Sequence, residues 1–128
     1  MNLLLDTNAL LWALAGDGRL GQAAETVADR RNRVYVSAAS AWEIAIKAGL
    51  GKLRVPPNVA TWLPTELAAA HFTPLPIGII HAVHVESLPR HHSDPFDRLL
   101  IAQALQEKLI IVTGDPQFER YDVRLIRC

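Results

Sequence analysis

Three short apolar runs set the problem this chain has to solve. Leu3-Leu4-Leu5, Val34-Tyr35-Val36 and Leu109-Ile110-Ile111-Val112 lack the polar alternation of a strand with one wet face. Such runs fit strands buried on both faces, as in a parallel sheet covered by helices on each side. The stretches between them read as helices: Ala9 to Ala15 closed by Gly16, Gly21 to Arg31, Ala38 to Ala48 closed by Gly49, Thr61 to Ala70, and Gly78 to Glu86. A longer helix begins at Asp94 and runs to Lys108. Phe72 to Ile77 is extended and interrupted by Pro74 and Pro76, which suits an edge strand. Pro116 to Tyr121 reads as a short helix and Val123 to Ile126 as a last strand. The alternation over 128 residues predicts one domain, residues 1–128, of α/β class.

Charge and cysteine content narrow the setting. Lys plus Arg equal Asp plus Glu at 13 each, a balance that argues against binding nucleic acid by overall charge. The cations are unevenly placed: Arg30, Arg31 and Arg33 cluster, whereas Val55 to Pro89 holds none. The single Cys128 excludes an intramolecular disulfide and suits a reducing compartment. The first residues lack a basic region, unlike a signal peptide, and no apolar run nears the ~20 residues of a membrane span. The expected location is the cytoplasm.

In open parallel sheets, ligands bind beyond the carboxyl ends of the strands, so acids there carry weight. Asp6 follows the first run directly, and Asp115 follows Val112-Thr113-Gly114. Each also fits as a turn or helix cap. Glu43 is the only acid in its helix, with Lys47 four residues on, the spacing of an ordinary surface ion pair. In Asp94-Pro95-Phe96-Asp97, Asp94 suits the cap and Pro95 the first helical position, which leaves Asp97 without a structural duty. Leu99 to Ala102 then point all around the helix axis, so this helix start is expected to be buried. Acids beyond two strands and near two helix starts would converge on one end of the sheet. Carboxylates crowded in one cleft raise each other's pKa, and a hard divalent cation such as Mg²⁺ or Mn²⁺ relieves the repulsion. Such a site suits phosphoryl chemistry.

The order Asp6-Thr7-Asn8, Glu43, Asp97-Arg98-Leu99-Leu100-Ile101-Ala102-Gln103-Ala104, Val112-Thr113-Gly114-Asp115 resembles the PIN domain, and most of all the VapC-type toxin ribonucleases of toxin–antitoxin pairs. The likeness runs over nearly the whole chain. It implies a three-layer α/β/α domain with a central, mostly parallel sheet of four or five strands. It implies an endoribonuclease that uses Mg²⁺ or Mn²⁺ and a water nucleophile and leaves a 5′-phosphate on its RNA. Asp6, Glu43, Asp97 and Asp115 would be the metal-binding acids. Thr7 or Asn8 would orient water or Asp6, with Thr113 in support, and Asp94 would remain a cap. It also implies a homodimer and an antitoxin segment lying in an apolar groove near the acids, for which Leu11, Trp12 and the helix carrying Trp42 are candidates. With no net charge to draw RNA, the Arg30–Arg31 strip is the expected RNA contact.

Rival readings leave sequence marks of their own. A PIN fold that only binds RNA or protein would look the same apart from its chemistry. Gly16-Asp17-Gly18-Arg19-Leu20-Gly21 matches the dinucleotide-binding pattern, but it follows a helical stretch rather than a strand. An aspartyl-nucleophile phosphatase would need an acid where Asn8 stands. His81 and His84, or His91 and His92, raise a zinc site or a histidine-driven cleavage through the RNA 2′-hydroxyl. Neither a Cys pair nor an H-E-x-x-H motif supports zinc.

Overall fold

The computed structural model describes residues 1–128. Five strands, β1 (Asn2–Leu5), β2 (Arg33–Ser37), β3 (Thr73–Leu75), β4 (Ile110–Thr113) and β5 (Leu125–Arg127), form one sheet in the order β3-β2-β1-β4-β5. Every pairing is parallel. Six α-helices connect them: α1 (Thr7–Ala15), α2 (Ala23–Ala28), α3 (Ala38–Gly49), α4 (Val59–Ala69), α5 (Ile79–His84) and α6 (Pro95–Glu107).

The apolar runs split between two cores by the period of two that a strand imposes. Leu3, Leu5, Val34, Val36, Ile110 and Val112 face α1, α2 and α4, packing on Leu10, Val27, Leu63 and Leu67. Leu4 and Ile111 face the other way, onto Leu100, Ile101 and Ala104 of α6 and onto Phe118. Both faces are covered, as runs without polar alternation require. Leu100 and Ile101 are wholly buried, and each contributes roughly 1.5–3 kcal/mol to folding.

The chain winds outward from β1 through β2 to β3, then returns to the other side of β1 for β4 and β5. Strand order therefore reverses between β1 and β4, and a crevice opens beyond their carboxyl ends. Asp6 and Thr113 stand at that point.

Two expectations need correction. The helix predicted over Gly21 to Arg31 is confined to Ala23–Ala28. Asp29 ends it by accepting the backbone N–H and the guanidinium of Arg31, a local bond that competes with the helix. Arg30 and Arg31 precede β2 and Arg33 begins it, in register with Asn2. This cluster sits at the amino-terminal end of the parallel sheet, opposite the acids, so it does not adjoin Asp6. The glycine pattern is also accounted for: Gly16 is the left-handed cap of α1, and a short 3₁₀ turn follows at Gly18–Leu20.

Candidate active site

Asp6, Glu43, Asp97 and Asp115 come from four separate segments and meet at the carboxyl end of the sheet. Asp6 leaves β1 and caps α1: its Oδ1 accepts from Ala9 N–H at 2.7 Å. Its Oδ2 accepts from the Thr113 hydroxyl, at the end of β4, at 2.5 Å. Cap and candidate acid are thus the same group, with both oxygens hydrogen-bonded. Thr113 in turn accepts from Asp115 N–H at 3.0 Å, which ties the fourth acid to the first. Asp115 caps the following 3₁₀ turn through Oδ1 and Gln117 N–H.

Glu43 lies one turn into α3 and is buried. Its Oε2 receives Lys47 Nζ at 2.5 Å, so the expected i,i+4 pair exists, but its acidic half faces inward. Its Oε1 accepts from the Thr7 hydroxyl at 2.6 Å. A hydroxyl has one proton, so the 3.0 Å contact between Thr7 and Ser40 has Ser40 donating. Thr7 therefore orients Glu43, and Thr113 orients Asp6; of the expectation that Thr7 or Asn8 would orient water or Asp6, the Asp6 half differs from the bonds observed. Asn8 is exposed and turned toward a neighbouring cleft.

Asp94 is the cap of α6, accepting from Phe96 and Asp97 N–H at 2.9 and 3.0 Å. Asp97, freed of that duty, meets His92 Nε2 at 3.2 Å. Its neighbour Arg98 is buried and holds the segment before α6 through the carbonyls of Pro89, Val85 and Leu88. Gln103 is buried too, donating to Pro76 O and accepting from Ser37 Oγ. Arg98 thus fastens α6 to the segment before it, and Gln103 fastens α6 to the end of β2 and to Pro76. They explain why a helix start carrying carboxylates can be surrounded by protein.

The electrostatics follow from that burial. Asp97 is pushed up to about 8, first by desolvation and then by the charges of Asp94, Asp115, Asp6 and Glu43. Burial also raises Asp6, against the lowering effect of its bonds to Thr113 and Ala9. Like charges this close raise one another's pKa and so limit how many of these acids are ionised together. No three His, Cys, Asp or Glu side chains surround a single point closely enough to hold an ion unaided. The donors are hard oxygens throughout.

The histidines are otherwise engaged. Buried His81 accepts from Gly78 N–H and pairs with Glu107, and His84 bonds Gln106. The sequence raised His92 only with His91, as a zinc or cleavage residue; its contact with Asp97 comes from the tertiary structure. Along α1, Leu11, Trp12, Val55 and Trp62 line a cleft of about 570 Å³ together with the charged Asp17, Arg19, Arg54 and Glu66; Leu11 and Trp12 border it, and none of the four acids does. Trp42, on the other helix expected to line such a groove, is largely exposed and packs edge-on against Phe96, ring centres 5.5 Å apart. Cations at the acidic end include Lys47 and Arg127, whose strand position matches Thr113.

The family model for the PIN domain matches residues 3–124. Ribonuclease VapC22 of Mycobacterium tuberculosis is 30% identical over 114 residues, covering 88% of this chain and 86% of that protein. Ribonuclease VapC16 of the same organism is 43% identical over 58 residues, 45% of this chain. The match spans only 41% of VapC16 itself, less than half of that relative's length. Among solved structures, VapBC2 from Rickettsia felis, bound to a promoter DNA fragment, gives a TM-score of 0.75 over 100% of this chain and 99% of that one, at 17% identity. FitAcB from Neisseria gonorrhoeae gives 0.61 over 97% and 96%, at 22% identity. At those identities the structures speak for the fold.

Proposed function

The chain belongs to the PIN domain family, and from that premise we propose that it is a divalent-metal-dependent endoribonuclease, the toxin of a toxin–antitoxin pair. The observation that carries the reading is the convergence of Asp6, Glu43, Asp97 and Asp115, with Asp97 held at about 8 by burial and like charge. Asp6 and Asp97 would hold Mg²⁺ or Mn²⁺, with Glu43 and Asp115 completing the acidic site. When bound, the ion lowers the pKa of a water and neutralises charge on the phosphodiester. The chain's own residues do the positioning. Thr113 and Ala9 N–H fix both oxygens of Asp6; Thr7 and Lys47 fix both oxygens of Glu43. Water as nucleophile makes the RNA 2′-hydroxyl dispensable, and the product end is a 5′-phosphate. The expected setting is the cytoplasm; no helix is long and apolar enough to cross a membrane.

Two surfaces support the partner side of the reading. The cleft along α1 mixes apolar side chains with Arg19, Arg54 and Glu66, begins at Asn8, two residues past Asp6, and is the surface assigned to an antitoxin segment. On α5, Ile79, Ile80 and Val83 are exposed together, an apolar face fit for a homodimer contact.

The deciding experiment is RNA cleavage by the intact chain with Mg²⁺ or Mn²⁺, wild type against Asp6→Ala, with the product ends analysed. Cleavage that stops with EDTA and with Asp6→Ala, leaving 5′-phosphates, is expected. Cleavage that survives EDTA would overturn the metal mechanism; a 2′,3′-cyclic product would point to histidine chemistry instead.

A further inference from the structure

We propose that His92 stands as the tautomer protonated on Nε2 and donates to Asp97, acting as the positioning residue that aims this carboxylate into the acidic cleft. The assignment of Asp97 as an acid of the site rests on the nuclease reading; the tautomer rests on geometry alone.

Tyr121 is buried, and its hydroxyl sits between Arg98 and His92. A phenol oxygen accepts two hydrogen bonds and donates one. Arg98 is a permanent donor, and its Nη1 lies 3.0 Å from Tyr121 Oη. The backbone N–H of His92 points at the same oxygen from 3.3 Å. Both lone pairs are then taken, and the phenol proton has one acceptor left to meet, His92 Nδ1 at 2.7 Å. Nδ1 must therefore be the unprotonated nitrogen of a neutral ring. The proton is on Nε2, and Nε2 faces Asp97 Oδ2 at 3.2 Å.

The opposite polarity fails on counting. A proton on Nδ1 would give Tyr121 Oη three donors, Arg98, His92 N–H and Nδ1–H, and leave its own proton without an acceptor. The chain of bonds is thus directional: Arg98 to Tyr121, Tyr121 to His92, His92 to Asp97. Its origin is rigid. Arg98 is buried and tied to the carbonyls of Pro89, Val85 and Leu88, all in the segment that leads to His92. The imidazole also packs edge-on against the Tyr121 ring, centres 5.4 Å apart, and lies near Phe118. Ring orientation is therefore set by packing as well as by bonds. Thr113 does for Asp6, and Thr7 for Glu43, what His92 does for Asp97. Each of these three acids has a dedicated donor, the arrangement by which outer partners orient metal-binding carboxylates.

The first test is spectroscopic and uses the full, metal-free chain. Imidazole ¹⁵N shifts of His92, recorded where the ring is neutral, should show a pyrrole-like Nε2 and a pyridine-like Nδ1. In Tyr121→Phe the two tautomers should mix. Protonation on Nδ1, or an averaged pair of shifts in the wild type, would overturn the proposal. The second test is Mn²⁺ binding by calorimetry, with thermal unfolding as the check that each variant folds. His92→Ala should weaken binding by about 10–100-fold, the usual loss when an orienting partner is removed. His92→Gln, whose amide N–H reaches about as far as Nε2, should recover most of it. If His92→Ala binds Mn²⁺ as the wild type does while Asp97→Asn does not, the positioning role is refuted and the acidic site stands. A wild type that neither binds Mn²⁺ nor cleaves RNA would sink the nuclease reading and with it the positioning role; the shifts alone still decide the tautomer.

Discussion

Asp97→Asn should make the metal-free protein more stable, and by an amount that grows with pH. The folded carboxyl titrates at about 8, against 3.8 for the unperturbed group. Because the folded pKa is the higher one, the folded chain keeps a proton that the unfolded chain has already released. Between those two values unfolding releases a proton, so wild-type stability falls as pH rises. The shift of about four pH units corresponds to roughly 6 kcal/mol at ~1.4 kcal/mol per unit. The Asp97 side chain keeps 18% exposure, so solvent screens part of the repulsion, and about half, ~3 kcal/mol, is the expected effect. Asparagine has the same shape and no charge to desolvate. In urea denaturation with EDTA, its advantage over wild type should be near zero at about pH 4, rise steadily, and level off above about pH 8. Added Mn²⁺ should then stabilise the wild type and leave the variant unchanged, by mass action on the folded state alone. A variant–wild-type difference that is flat with pH, or that shrinks as pH rises, would refute the account of Asp97 as a carboxyl held out of water among like charges.

Other perturbations probe the supports of the site. Gly114→Ala places a methyl group 3.2 Å from the Trp12 ring and from Cys128 O, between Thr113 and Asp115; thermal unfolding should show a loss of about 1–2 kcal/mol. An unchanged melting temperature would mean that Trp12 moves freely. Gln103→Leu keeps the volume but strands the buried Ser37 hydroxyl and the Pro76 carbonyl, so chemical denaturation should register a loss of about 1–3 kcal/mol.

How much of this was legible in the chain depends on the range of the interaction. The apolar runs foretold the strands because a both-faces-buried strand writes its environment directly into its residues. Asp94 and Pro95 foretold the start of α6, since a cap is satisfied within three residues. The acids were legible as a set through their positions after strands and at helix starts, and through the family they resemble. The second helix was drawn too long, because the side chain of Asp29 folds back on Arg31 and ends it, which helix propensity does not encode. Arg30, Arg31 and Arg33 invited a role in RNA binding by composition alone. Only the parallel order of β1 and β2 put them at the far end of the sheet.

By itself, then, the sequence determined that Asp97 was a surplus acid: Asp94 already capped the helix, and the buried Leu99 to Ala102 segment behind it formed a rigid mount. Local bonds decide such matters, and local bonds are readable. The tertiary structure decided what Asp97 would meet. His92, Tyr121 and Arg98 close around it because α6, the loop before it and the turn after β4 pack together, and the reversal of strand order places Asp6 and Asp115 near enough to hold its proton on. Burial and the sum of neighbouring charges are properties of the assembled fold, and no window of sequence contains them.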